Sequence, residues 1–333
     1  MLDHILRTAP SWTDAGHSVG LVGVPINALL DWPMATRAGY VVFQDPQVNK
    51  MLKKVLDAWN EFLSSEESAG VLGEGKEGWF GESGKKSLVQ VANVGKSGLQ
   101  EQPFEELFHC DPKAKHHGYK SWDDFFTRTF RFEDGVRPVA DPEDDNVLVN
   151  CCESKTYKIA HDVHARDKFW IKVSLGRLPV AVGRNGRLTD IPINRHSIQQ
   201  GQPYSVVDML ANDPLSSQFV GGTIYQAFLS ALSYHRWHTP VSGKIVKSYV
   251  IPGSYFSEPL YEDFTDDHPA DSNGEVTSQE YISVVATRAV VFIEADNPKI
   301  GLMCFMGIGM TEVSTCDTTI KEGQHVKKGD QLG

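Results

Sequence analysis

Two imidazoles stand three residues apart in Tyr234-His235-Arg236-Trp237-His238-Thr239-Pro240, a stretch that runs into the turn residues Ser242 and Gly243. Imidazole changes charge near pH 6.5, so it can take and return a proton under neutral conditions. His235 or His238 is therefore a candidate general base. A histidine beside Trp and Pro is also at home as a hydrogen-bonded core residue, and residue type alone leaves both readings open.

Other polar groupings carry less chemistry. His161 and His164 have an i,i+3 spacing that suits a metal ion, but no third ligand accompanies them. His116-His117 reads as a solvated loop. Asp123 and Asp124 follow Ser121, so they read as dipole complements in the first turn of an N-capped helix, not as a catalytic carboxylate pair. The five cysteines (Cys110, Cys151, Cys152, Cys304 and Cys316) are odd in number and lack CxxC spacing, which argues against a disulfide framework and a zinc site.

The elements that must position these groups fall into two styles. Met51, Leu52, Val55, Leu56, Trp59 and Phe62 recur every three or four residues, which predicts an amphipathic helix over residues 48–64. Residues 70–103 read as loop and short helix, and the segments 105–112 and 121–132 read as helical. Beyond residue 130 the pattern changes to short β-branched runs: NVLVNC, KTYKIA, KIVKSYVI, YISVVA, AVVFIEA and GLMCFMGIGM. Their imperfect alternation is that of strands buried on both faces. The predicted fold class is α+β, with a helical N-terminal region followed by an incomplete, mostly-β domain. The boundary is expected between residues 1–105 and 106–333.

The chain has 333 residues, 41% of them apolar, and a net charge of −11. No basic block is present, which disfavours nucleic acid and an electrostatic hold on anionic lipid. The N-terminus has no apolar run of signal-peptide or membrane-spanning length. A cytoplasmic protein with no stable membrane insertion is expected.

YHRWHTP resembles the YHRxHxP motif of the pyruvoyl-dependent phosphatidylserine decarboxylase family. Other stretches agree in order. SWDDFFTRTFRFEDGVRPVA (121–140) is similar to that family's FxxFFxRxL…RP segment, and PGSYFS (252–257) to the segment after the histidine motif. GIGMTEVSTC (307–316) matches the glycine-rich strand, and EGQHVKKGDQLG (322–333) the turn before the processing site. MATRAGY (34–40), KKVLDAWNEFLSS (53–65) and FIEADNPKIGLMCFMGIGMTEVSTC (292–316) resemble the fungal L-tryptophan decarboxylase-like branch.

That resemblance implies an amino-acid decarboxylase, probing an aromatic substrate such as L-tryptophan in preference to phosphatidylserine. Its cofactor is a pyruvoyl group made from the chain's own serine, which gives the carbanion left by decarboxylation an electron sink. It also implies that His235 deprotonates that serine, oriented by an acid in the family's SPADG segment. The segment aligns with Asn150-Cys151-Cys152-Glu153-Ser154, where Glu153 stands in place of the usual Asp. Tyr234 and His238 are assigned to substrate positioning, no metal is expected, and a homodimer is a family-level expectation.

Two features depart from the pattern. No GGSS- or LGST-type motif occurs within residues 1–333, so this polypeptide carries the expected base without its nucleophile and is expected to be inactive as it stands. Val173–Gln200 has four arginines, no acidic residue before Asp190 and no periodicity, and it interrupts a run that the family carries straight from Ile171-Lys172 into Gly201. Its codons can supply a splice donor, branch point and acceptor in order, which reads as a retained intron. A long surface loop is the alternative. Two other classes stay open: a non-catalytic pseudoenzyme or binding protein, and a lipoyl-type carrier suggested by EGQHVKKGDQLG alone but lacking the MKM or DKA triplet. Sequencing the transcript from before Ile171 to beyond Gly333 is expected to show the Val173–Gln200 codons removed and the frame continuing into a Gly-Ser motif. A message that reads as printed and stops at Gly333 would point to the pseudoenzyme.

Overall fold

A computed structural model describes residues 1–34, 36–94, 101–166, 204–259 and 279–333. The Val173–Gln200 segment lies outside the described residues. Helices α1 (Leu2–Ile5), α2 (Asp14–Ser18), α3 (Pro25–Met34), α4 (Arg37–Gln44), α5 (Pro46–Leu63), α6 (Glu82–Ala92), α7 (Phe104–Leu107) and α8 (Trp122–Phe126) precede the strands. The α+β expectation holds.

Helix α5 begins two residues before the predicted start because of its cap. The Asp45 carboxylate accepts from the amides of Gln47 and Val48 at 2.7 and 3.1 Å, and Pro46 occupies the first turn, where its missing N–H costs nothing. Trp59 is buried as the periodicity demands, whereas Met51 is exposed. Helix α6 lies in the segment read as loop and short helix. Its inward face is Gly84, Ser87, Leu88 and Ala92, too small and polar to register as an apolar stripe.

Helices α7 and α8 are shorter than predicted. After each, Phe108 and Phe130 form an isolated antiparallel bridge with their rings stacked 4.6 Å apart. These two rings join Trp12, Trp79, Phe80, Phe104, Trp122 and Phe125 in an aromatic core that also takes in Leu232 and Tyr234. His117 is part of this core, not solvated: it is buried against Phe80 at 4.1 Å, and both His116 and His117 adopt positive φ to turn the ring inward.

The strands are β1 (Lys155–Ala160), β2 (Ile224–Phe228), β3 (Gly243–Ile251), β4 (Arg288–Ala295), β5 (Leu302–Ile308) and β6 (His325–Val326). The pairings between these strands are antiparallel. β1 pairs with β2, and the second sheet has the order β5-β4-β3-β6. β4 explains the imperfect alternation. Val291 and Ile293 enter one apolar cluster with Val241, Ile245, Phe305, Val326 and Leu332, while Val290 and Phe292 enter another with Val163, Tyr204, Met209 and Leu210. Each of these four β4 side chains is fully buried. At roughly 1.5–3 kcal/mol per buried side chain, β4 is the main anchor of the sheet.

Two strand expectations fail. YISVVA forms helix α10 (Gln279–Val285), after the short α9 (Val206–Met209). Tyr281, Ile282 and Ala286 pack there with Tyr40, Ile308 and Met310, and this tertiary burial overrides β-branched propensity. NVLVNC forms no strand. Val149 donates to the Pro240 carbonyl at 3.1 Å, but proline has no amide to return the bond.

One contact joins the two ends of the chain. The Glu312 carboxylate accepts from the Ile26 and Asn27 amides at 2.7 and 3.1 Å, capping α3 from 286 residues away. Loss of water around it raises its pKa from 4.5 to about 7, against the opposing pull of these amides. With the folded-state pKa raised, its contribution is complete below about pH 4.5 and is lost as pH rises through about 7. Urea unfolding between about pH 5 and 8 should therefore show wild type losing stability relative to Glu312→Gln as pH rises. Parallel curves for the two proteins would contradict this account.

Candidate active site

The histidine segment is held between two backbones. On one side His238 donates its amide to Cys151 O at 2.7 Å. On the other, Trp237 and Thr239 donate to Gly333 O and Asp330 O at 2.9 and 2.8 Å, and Leu332 donates back to Trp237 O at 2.7 Å. The Cys151–Ser154 segment and the C-terminal strand thus flank the same few residues. Trp237 packs on Phe305 at 5.4 Å and closes onto Gly307, where an added Cβ would lie 2.4 Å from the indole.

His235 is carried next to helix α8. The Ser121 hydroxyl caps that helix by accepting from the Asp124 amide at 3.0 Å, so the sequence reading of the cap is correct. The helix delivers Phe126 flat onto the His235 ring, 4.0 Å between centroids and 22° between planes. Although the residue is only half-buried, its Nε2 is sealed from solvent and has no hydrogen-bond partner among the described residues. The carbonyls of Ala231 and Ser230 favour a proton on the ring. Burial first, and the Arg128 guanidinium second, lower its pKa to about 3, with the two carbonyls opposing.

His238 is engaged at both nitrogens. Nδ1 meets the Gly329 carbonyl at 2.7 Å and must be the donor, so Nε2 accepts from the Tyr234 hydroxyl at 2.8 Å. Gly329 adopts φ +89°, and a Cβ there would strike Val139, so glycine is what lets this carbonyl turn inward. Burial lowers the His238 pKa, partly offset by the Gly329 carbonyl.

Glu153 makes a different connection from the one its alignment implies. One oxygen accepts from Arg137 Nη2 at 2.6 Å and the other from the Tyr234 amide at 2.9 Å. Neither oxygen hydrogen-bonds an imidazole among the described residues. Arg137, held at φ +55°, also donates to Ala92 O at 2.6 Å. Glu153 therefore fixes the backbone one residue before His235, while Phe126 packs against the ring. Sequence reasoning passed over Arg128, Arg137 and Gly329. The available signals were the Arg of FFTR and the glycine of KKGD, each quoted there only as part of a matching segment. Among the described residues, no three His, Cys, Asp or Glu side chains come together to hold a metal.

Tyr234→Phe would remove the donor that favours neutral His238. Its NMR titration midpoint should rise, and urea unfolding should show a loss of about 0.5–1.5 kcal/mol. An unmoved midpoint would contradict the assigned direction of that hydrogen bond.

Comparison with known proteins places this arrangement in a family. Two phosphatidylserine decarboxylase family profiles match, over residues 1–88 and 122–333. Decarboxylase iboD of Amanita muscaria is 39% identical over 93% of this chain and 80% of that protein. L-tryptophan decarboxylase of Psilocybe cyanescens is 37% identical over 99% of this chain and 67% of its own length. The phosphatidylserine decarboxylase proenzyme 3 of Schizosaccharomyces pombe is 24% identical over 65% of this chain and 18% of that protein. With its histidine segment clasped by the two motifs that flank it, this chain belongs to the phosphatidylserine decarboxylase family.

Proposed function

We propose that this chain is the larger part of a self-processing, pyruvoyl-dependent decarboxylase acting on an aromatic amino acid such as L-tryptophan. The observation that carries the reading is the unpartnered Nε2 of His235, in the segment that residues 330–333 pair along. Val326 pairs with Gly243 and Gln331 with His238, so the strand runs along the histidine segment towards His235. An imidazole nitrogen without a partner, in the segment that strand runs along, is a group able to take a proton from a serine hydroxyl. The pyruvoyl group supplies a ketone that captures the substrate amine and delocalises the charge left by decarboxylation. Within residues 1–333, Phe126 holds the plane of the ring and Glu153 holds the preceding amide. The preference for an aromatic amino acid rests on the nearly full-length similarity to tryptophan decarboxylases, against partial similarity to phosphatidylserine decarboxylases.

A second assignment of the base has its own support. His238 presents a fixed Nδ1–H tautomer, and its Nε2 becomes free if the Tyr234 hydroxyl turns away. The two-region division at residue 105/106, a cytoplasmic location and a homodimer are parts of the same proposal. The five free thiols agree with a reducing setting, and no described helix is long and apolar enough to cross a membrane.

The 333-residue polypeptide, which contains no GGSS or LGST motif, is expected to show no hydroxylamine-reactive carbonyl. The chain extended through a family Gly-Ser motif should self-cleave and release carbon dioxide from L-tryptophan. In that extended chain His235→Ala should abolish self-cleavage. Cleavage lost in His238→Ala but kept in His235→Ala would transfer the base role to His238. Release of carbon dioxide from phosphatidylserine but not tryptophan would overturn the substrate assignment, and a chain that never cleaves would favour a binding protein.

A further inference from the structure

Arg128 presents a buried cation without an acid partner. It is 3% exposed, and no described carboxylate forms an ion pair with it. Its guanidinium lies over the Phe108 and Phe125 rings at 4.6 and 5.1 Å. Nη2 donates to the carbonyls of Leu232 and Ser233 at 2.7 and 3.3 Å, immediately before the histidine segment. Burying such a charge is costly unless something uses it. Burial brings its pKa down to about 10, so it stays charged at neutral pH.

Helix α8 and its exit therefore grip His235 twice, with Phe126 on the ring and Arg128 on the loop that carries it. The other charged and titratable groups nearby do not cancel this cation at His235. Glu153 is paired with Arg137, Arg236 adds a second positive charge on the segment itself, and Asp123, whose carboxyl is shifted up by burial, faces Arg236. Tyr119 and Tyr234 are phenols with burial-raised pKa values, neutral in this range, and His238 is held by Gly329 and Tyr234.

We propose that Arg128 is the positioning residue for His235, holding its loop through the Leu232 and Ser233 carbonyls and keeping a positive charge two residues before the imidazole so that the ring remains an unprotonated base. The inference rests on the reading of His235 as a base, but its test needs neither pyruvoyl group nor substrate. Long-range proton–nitrogen NMR of the 333-residue chain labelled with 15N-histidine, assigned with His235→Gln, reads tautomer and titration directly. Wild-type His235 should stay neutral well below the midpoint of a free imidazole. In Arg128→Met the midpoint should rise by roughly one pH unit or more, a tenfold change in proton affinity. Arg128→Lys keeps the charge without the two-carbonyl fork, so its midpoint should stay low. An unmoved midpoint in folded Arg128→Met overturns the proposal. If circular dichroism shows Arg128→Met unfolded, Arg128→Gln, which keeps hydrogen-bond donors without the charge, decides: a raised midpoint supports the role of the charge, and an unmoved midpoint overturns it. A failed decarboxylase assay in the extended chain would leave this titration untouched.

Discussion

The backbone of Trp237, His238 and Thr239 is shared between two neighbours that are far apart in the chain. Cys151 takes the His238 amide on one edge, and Asp330, Leu332 and Gly333 take the other. Antiparallel pairing moves in steps of one residue, so this ladder sets which residue meets which. It brings Glu153 to the Tyr234 amide, the Gly329 carbonyl to His238 and the end of the C-terminal strand towards His235. A one-residue slip would reverse the facing of every side chain in the segment.

The ladder works because the sheet beneath it is rigid. β4 is buried on both faces, and the cluster containing Val291 and Ile293 also contains Val241, Val326 and Leu332, with Trp237 packed against it. The same apolar contacts that stabilise β4 therefore carry the histidine segment and the C-terminal strand. On the other side, Tyr234 and Leu232 belong to the aromatic core of the N-terminal helices. His235 sits at the seam between these two bodies of packing, where a sealed nitrogen can be kept without a partner.

Buried charge is handled by the backbone more than by ion pairs. Arg128 donates to carbonyls of Leu232 and Ser233, Lys328 to those of Asp141, Asp144 and Val147, and Glu312 accepts from the amides opening α3. Each contact ties a loop or helix end to a distant segment. Lys328 immediately precedes Gly329, so its three carbonyl contacts also steady the turn that holds His238. Backbone groups have one position each, so these clamps specify geometry that a flexible side-chain pair would leave loose.

Much of this was legible in the sequence. The helix ending at Leu63, the Ser121 cap, four of the six proposed strand runs and the α+β class follow from spacing and cap chemistry, which act over a few residues. The histidine motif and its family likewise lay in a short contiguous stretch. Helix α10 did not, because the burial of Tyr281 and Ile282 beside Tyr40 outweighs a local preference for strand. Nor did the links from Glu153 to Tyr234, from Glu312 to α3 or from Arg128 to the loop before His235, which join residues 81, 286 and 104 positions apart. The sequence by itself determined which side chains could handle a proton and which segments could be helix or strand. Tertiary structure alone decided which nitrogen is left bare and which cation grips the loop before it, because those depend on contacts that no local pattern encodes.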